Sequence, residues 1–114
     1  MTDFEKALSH LSDQVKRYRQ MEILEGNELN EILQQVTGTL FFLEKQRAEY
    51  HDQWQRHVHR LVQNGESVNK SENSAHVAIP EMYLCRKVMD AGYTVAEAIR
   101  SNLSWLKTEI NNSK

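Results

Sequence analysis

The sequence predicts an all-α fold: a long antiparallel helical hairpin of coiled-coil type, extended by an N-terminal helix and paired into a dimeric bundle. Three observations carry this expectation. Gly and Pro number only 4 and 1 among 114 residues, whereas turn-dense β folds need many of both. Apolar residues recur at alternating spacings of three and four, the signature of one helical face. In two segments that spacing keeps a heptad register over many turns, as helices packed along their length require.

Each element follows from its own residues. Phe4, Leu8, Leu11, Val15 and Tyr18 share a face of a first helix, predicted over about 3–25, with Thr2 or Asp3 as cap and Glu5 at the positive end of the helix dipole. Gly26-Asn27 is the expected stop, because these residues enter the left-handed region most easily. The second helix, predicted over about 28–63, carries the seam Leu29, Leu33, Val36, Leu40, Leu43, Arg47, Tyr50, Trp54, His57 and Leu61. Thr37-Gly38-Thr39 is its weak point and the place for a kink, and Asn64-Gly65 ends it.

A short third helix, predicted over about 67–77, starts at Ser67 and leads to a bend at Pro80, which lacks an amide hydrogen and disfavours helical geometry at Ile79. The last helix, predicted over about 80–110, carries Met82, Cys85, Met89, Gly92, Ala96, Ile99, Leu103, Leu106 and Ile110 on one face. A second apolar set, Leu84, Val88, Ala91, Val95, Ala98 and Trp105, is turned about 110° from it. One face suits the second helix and the other needs helix one or another subunit. Phe41 and Phe42 also fall outside the main seam, so Phe41, Phe42, Leu84, Val88, Val95 and Trp105 are the candidate interface of a homodimer. Gly92, without a side chain, is expected to admit a large neighbour such as Tyr50 or Trp54. No repeat or linker divides residues 1–114, which read as one helical domain.

Composition narrows the function classes. With 14 basic and 16 acidic side chains the net charge is −2, so attraction to nucleic acid needs a local basic patch. No apolar run approaches the roughly 20 residues that cross a bilayer, and MTDFEKALSH lacks the order of a signal peptide. The expected location is the cytoplasm, without membrane contact. The single Cys85 has no internal disulfide partner and sits on a seam, as a small core residue does.

Two constellations invite chemistry. Glu28-x-x-Glu31 and Glu49-x-x-Asp52 place carboxylates three apart on one helical face, an arrangement able to hold Mg²⁺. It resembles the paired acidic motifs of all-α nucleoside triphosphate pyrophosphohydrolases of the MazG-like family, whose two motifs face each other from different helices. Along one continuous helix, however, Glu31 and Glu49 stand about 27 Å apart, and Asn27 occupies the place of a further acidic residue of that family. The five histidines do not make a zinc pair: His57 and His59 are two apart and point to different faces, and the others are isolated. Catalytic residues, metal and cofactor are therefore expected to be absent. The second constellation is basic: Lys16, Arg17 and Arg19 in helix one, and Arg47, Arg56 and Arg60 beside Tyr50 and Trp54 in helix two, where positive charge and aromatic rings can hold single-stranded nucleic acid.

From about Glu44 to Glu109 the order of features resembles a loose class of small helical proteins of phages and prophages, encoded among recombination and replication genes. The residues that carry it are Arg47-Ala48-Glu49-Tyr50, Asn64-Gly65-Glu66-Ser67-Val68, and the run from Ala96 to Lys107 with its Arg100-Ser101 and Ser104-Trp105-Leu106-Lys107. The resemblance implies an accessory role and supplies no active-site residues. Arg100 marks either a partner-binding edge or an ion pair with Glu97 or with an acid of helix two. The reading is a non-catalytic interaction protein that binds another macromolecule, with a protein as the expected partner. A single-stranded nucleic acid is the alternative, and nucleotide pyrophosphohydrolysis a second one.

Overall fold

A computed structural model describes residues 2–112. Thr2 opens the first helix through a capping box: its hydroxyl accepts the Glu5 amide at 3.1 Å, and the Glu5 carboxylate accepts the Thr2 amide at 3.4 Å. Helix α1 spans Asp3–Arg19, α2 Gly26–Gln63, α3 Val68–Ala78 and α4 Glu81–Asn112. The described residues contain no strand. The molecule is a rod of 70 × 29 × 21 Å.

Helix α1 stops six residues short of the expected 25, at a C-cap on Gln20, and Glu25 serves the next helix instead. Its side chain accepts the amides of Asn27 at 2.9 Å and Glu28 at 2.8 Å, so Glu25 itself is extended (φ −117°, ψ 128°) and caps α2. Gly26 is accordingly the first residue of α2, and no left-handed stop forms at Gly26-Asn27. The only positive φ among the described residues is at Gly65, +97°. There the expected stop forms: the Glu66 amide donates to Leu61 O at 3.1 Å and the Gly65 amide to Val62 O at 3.0 Å, the paired bonds of a Schellman turn.

Helix α2 is unbroken over 38 residues, about 57 Å. The helix does not break at Gly38. The hydroxyls of Thr37 and Thr39 donate to the carbonyls of Leu33 and Gln35, each at 2.8 Å, so both stay within helical geometry. Ser67 caps α3 by accepting the Lys70 amide at 3.2 Å. Ile79 then leaves the helical region (φ −129°, ψ 69°), as the residue before Pro80 must, and the Pro80 carbonyl accepts the Leu84 amide to start α4.

The core lies where α1, α2 and α4 meet. Leu11, Leu29, Ile32, Val36, Leu43, Cys85, Met89 and Ile99 are fully buried there. Each such aliphatic side chain is worth roughly 1.5–3 kcal/mol of burial. Contacts fix how the helices run. Arg17 meets Glu28 and Glu31, His10 meets Gln35, and Phe4 packs on Tyr50, so α1 runs against α2. Tyr18 reaches Asn102 at 2.7 Å while Leu11 lies against Gly92, so α1 runs with α4.

On the α2 seam Leu29, Val36, Leu40 and Leu43 are buried and Leu33 is half-buried; from Arg47 onward no seam residue is more than half-buried, where α1 reaches only as far as the Phe4–Tyr50 contact and the short α3 follows. Helix α3 buries just Ser71 and Ala75, with Ile79 after it. The neighbour that closes on Gly92 is Leu11 of α1, not Tyr50 or Trp54 of α2. A Cβ at Gly92 would stand 3.0 and 3.1 Å from the two Leu11 methyl carbons. The second apolar face of α4 is covered in part by α1, which leaves Val95 at 3% exposure. No helix among the described residues is long and apolar enough to cross a membrane.

Candidate functional site

The acidic pairs do not converge. Glu28 and Glu31 both hold Arg17, at 3.3 Å each, in a bridge that fastens the end of α1 to the start of α2 and raises the Arg17 pKa, chiefly through the bond to Glu31. Asp52 pairs with Arg56 at 2.8 Å one turn along the same helix. Because α2 is unbroken, about 27 Å of helix separates Glu31 from Glu49. Among the described residues no three His, Cys, Asp or Glu side chains are placed to hold a metal ion.

The basic candidates fall at two distant places. Lys16, Arg17 and Arg19 lie where α1 ends; Lys16 and Arg17 line a shallow hollow of about 510 Å³ that also has Asp13, Glu22 and Glu28 on its wall. Arg56 and Arg60 lie near the other end of α2, Arg56 being about 38 Å along the helix from the Glu31 that holds Arg17. Arg47 is between them, 4.0 Å from Glu44. The two rings among these residues are not free platforms. Tyr50 packs on Phe4 with centroids 5.0 Å apart, and Trp54 is half-buried with its indole nitrogen sealed from solvent and unbonded. Burial also raises the Tyr50 pKa.

Near Trp54 the histidines form a polar joint between α2 and α3. Arg60 donates to His57 Nδ1 at 3.2 Å, so the imidazole proton must sit on Nε2, which donates to Ser74 Oγ at 3.1 Å. In that tautomer His57 cannot take a proton from Ser74, and the pair works as a clasp, not as a nucleophile with its base. His51 stacks over Trp54 at 6.2 Å and 10°, and His76 of α3 tilts against it at 5.7 Å.

The candidate interface residues do not form one patch. Phe41 is 84% exposed, while Phe42, 100° further round the helix, is 37% exposed. Val95 is inside, covered from the side of α1, and cannot meet a second chain; Val88 is half-buried. Leu84 and Trp105 remain exposed at the two ends of an α4 strip whose intermediate members, Ala91 and Ala98, are half-buried.

The structure instead assembles a continuous groove along the open side of the α2–α4 pair. Three hollows of about 250, 310 and 330 Å³ adjoin end to end, sharing Glu44, then His51, Met82 and Arg86. The first is walled by Phe41, Tyr93 and Arg100, and the last by Trp54, Tyr83 and Glu72. Tyr93 donates its hydroxyl proton to Glu44 across the groove, and that bond, with burial, raises the tyrosine's pKa. Arg100 makes no ion pair with Glu97 or with an α2 acid among the described residues; it stands at the groove wall. Tyr83, Arg86 and Tyr93 went unnoticed in the sequence, yet all three, with Met82 and Arg100, sit on the α4 face adjoining the core seam. The recurrence of Arg86, Tyr93 and Arg100 every seven residues was the available signal. Cys85 lies beneath, fully buried, its sulfur 3.3 Å from the Met89 sulfur and its pKa raised by burial, so it is a core residue in an inert form.

Comparison with family models, curated proteins and solved structures returns no match for this chain.

Proposed function

We propose that the protein is a non-catalytic helical interaction module, an accessory protein of phage or prophage type that binds another protein. The observation that carries this reading is the surplus of exposed large apolar side chains on a rod whose core is already complete: Phe41 at 84%, Tyr83 at 64% and Trp105 at 59% exposure lie on helix faces with no helix over them. The α2–α4 pair, read as an antiparallel coiled-coil-like hairpin, offers these residues to a second surface. The strip ending in Leu84 and Trp105 repeats every seven residues through Ala91 and Ala98, a register suited to pairing two copies of α4 in a homodimer. The dispersal of Lys16, Arg17, Arg19, Arg47, Arg56 and Arg60, with Arg17 and Arg56 engaged by carboxylates, weighs against a nucleic-acid tract.

The test is solution mass by light scattering at 0.1 M and 0.5 M salt, with and without a short single-stranded oligonucleotide. The reading expects a dimer that persists at both salts, ignores the oligonucleotide and dissociates in Trp105→Ala. A mass that rises with oligonucleotide and falls back in high salt replaces it with nucleic-acid binding. Mg²⁺-dependent hydrolysis of nucleoside triphosphates that disappears in Glu31→Gln replaces it with the enzyme.

A further inference from the structure

We propose that the open groove of the α2–α4 pair seats one acidic amphipathic helix of a partner protein. The inference rests on the interaction reading above and gives it a partner chemistry. Helix α1 lies over one side of the pair; on the other side no helix among the described residues covers α2 and α4 from Thr37 to Arg47, and α3 walls only the far end through Glu72 and His76. A ridge of side chains fits such a two-helix groove at the usual 8–10 Å interaxial distance. From Thr37 to Trp54 the groove runs about 26 Å along α2, the length of a helix of about 17 residues.

The walls set the partner's chemistry. Phe41, Tyr83 and Tyr93 present aromatic surface to its apolar stripe. Arg86 and Arg100 stand in the groove without an ion pair among the described residues. They lie fourteen residues apart on one helix, about 21 Å, so the complementary carboxylates sit about four turns apart on the partner. The intervening Glu44 is already held by Tyr93 and Arg47. A second copy of this chain fits less well, because two-fold docking of the face on itself brings Arg86 of one copy towards Arg100 of the other. A continuous row of phosphates fits less well too, since Glu44 and Glu72 interrupt the line of arginines, whereas two carboxylates spaced to Arg86 and Arg100 need not meet them.

The experiment is calorimetric titration of the full chain with a panel of synthetic helical peptides of about 18 residues, each with a leucine, isoleucine or methionine stripe and glutamates about four turns apart. The control panel replaces the glutamates by lysine. The expected result is one acidic peptide bound per chain, weakened at least tenfold by Phe41→Ala and by Arg86→Glu with Arg100→Glu, with the lysine panel silent. All three side chains are exposed, and circular dichroism checks that the variants fold. Silence of the whole acidic panel, or equal affinity in the variants, overturns the proposal. If light scattering instead finds a dimer that Phe41→Ala dissociates, the groove belongs to a second copy: the acidic helix is wrong and the interaction reading survives. Oligonucleotide binding abolished by the arginine variants overturns both.

Discussion

Two glycines in helix interiors should respond differently to the same substitution. At Gly38 an added Cβ meets nothing within 4 Å, so Gly38→Ala removes only the entropic cost of a helical glycine and should stabilise the chain by about 1 kcal/mol. At Gly92 the same gain is opposed by contact with Leu11, whose Cδ1 and Cδ2 would lie 3.0 and 3.1 Å from the new carbon. Leu11 is fully buried, so its methyls can retreat only by disturbing their neighbours, and overpacking of this kind costs about 1–3 kcal/mol. The propensity term cancels between the variants, which leaves Gly92→Ala about 1–3 kcal/mol less stable than Gly38→Ala. For a chain of this size that corresponds to roughly 3–15 °C in Tm, read by circular dichroism with a urea series to obtain the free energies. A cycle with Leu11→Ala sharpens the test: truncating Leu11 should cost less on the Gly92→Ala background, where the new methyl fills part of the space left behind. If Gly92→Ala melts as high as Gly38→Ala, α1 does not close on α4 at this point and the three-helix core is wrongly assembled.

Other consequences are as direct. Leu40→Asp puts a carboxylate in a site 4% exposed and should destabilise the rod strongly; a variant that melts like the parent refutes the α2 seam. Cys85, buried and with a raised pKa, should resist alkylation at neutral pH in the folded chain and react at the rate of a free thiol in denaturant; rapid labelling without denaturant would place it outside the core. Two backbone amides lower the Glu25 pKa, so its cap contributes stability above the unfolded carboxyl value and loses it as pH falls through the lower folded one. An acid titration of unfolding free energy should therefore be shallower in Glu25→Gln, and identical slopes would remove the cap.

What could be read in advance was whatever local periodicity controls. The faces carrying Phe4, Leu11 and Val15, Leu29 to Leu43, and Cys85 to Ile99 are the faces the structure buries, because a run spaced three and four can be hidden in only one way. The Schellman stop at Gly65 and the bend before Pro80 followed for the same local reason. The end of α1 did not, since Met21 and Leu24 prolong its apolar pattern while the helix is capped at Gln20, Glu25 serves α2 through amides two and three residues ahead, and Leu24 is left 39% exposed. Pairings between helices were not legible either. That Leu11 and not Tyr50 closes on Gly92, and that Val95 turns inward, depends on which side of the α2–α4 pair α1 takes. The groove was hidden for that reason too: Arg86, Tyr93 and Arg100 look like ordinary surface residues until the remaining side of the pair is seen to be bare.

Helix α2 is the shared beam of this molecule. Helix α1 lies over its first two-thirds, through contacts from Glu28 to Tyr50, and α3 lies over its last third, through Trp54 and His57. Those two coverings occupy separate lengths and lean on the beam rather than on each other. Loosening at one end should therefore leave the other intact: amide hydrogens of α3, whose buried side chains are so few, should exchange with solvent well before those of α1. A partner that grips the rod near Trp54 can peel or clamp that end while the Leu11–Gly92 joint stays closed, so the two ends behave as separately adjustable parts of one stiff lever.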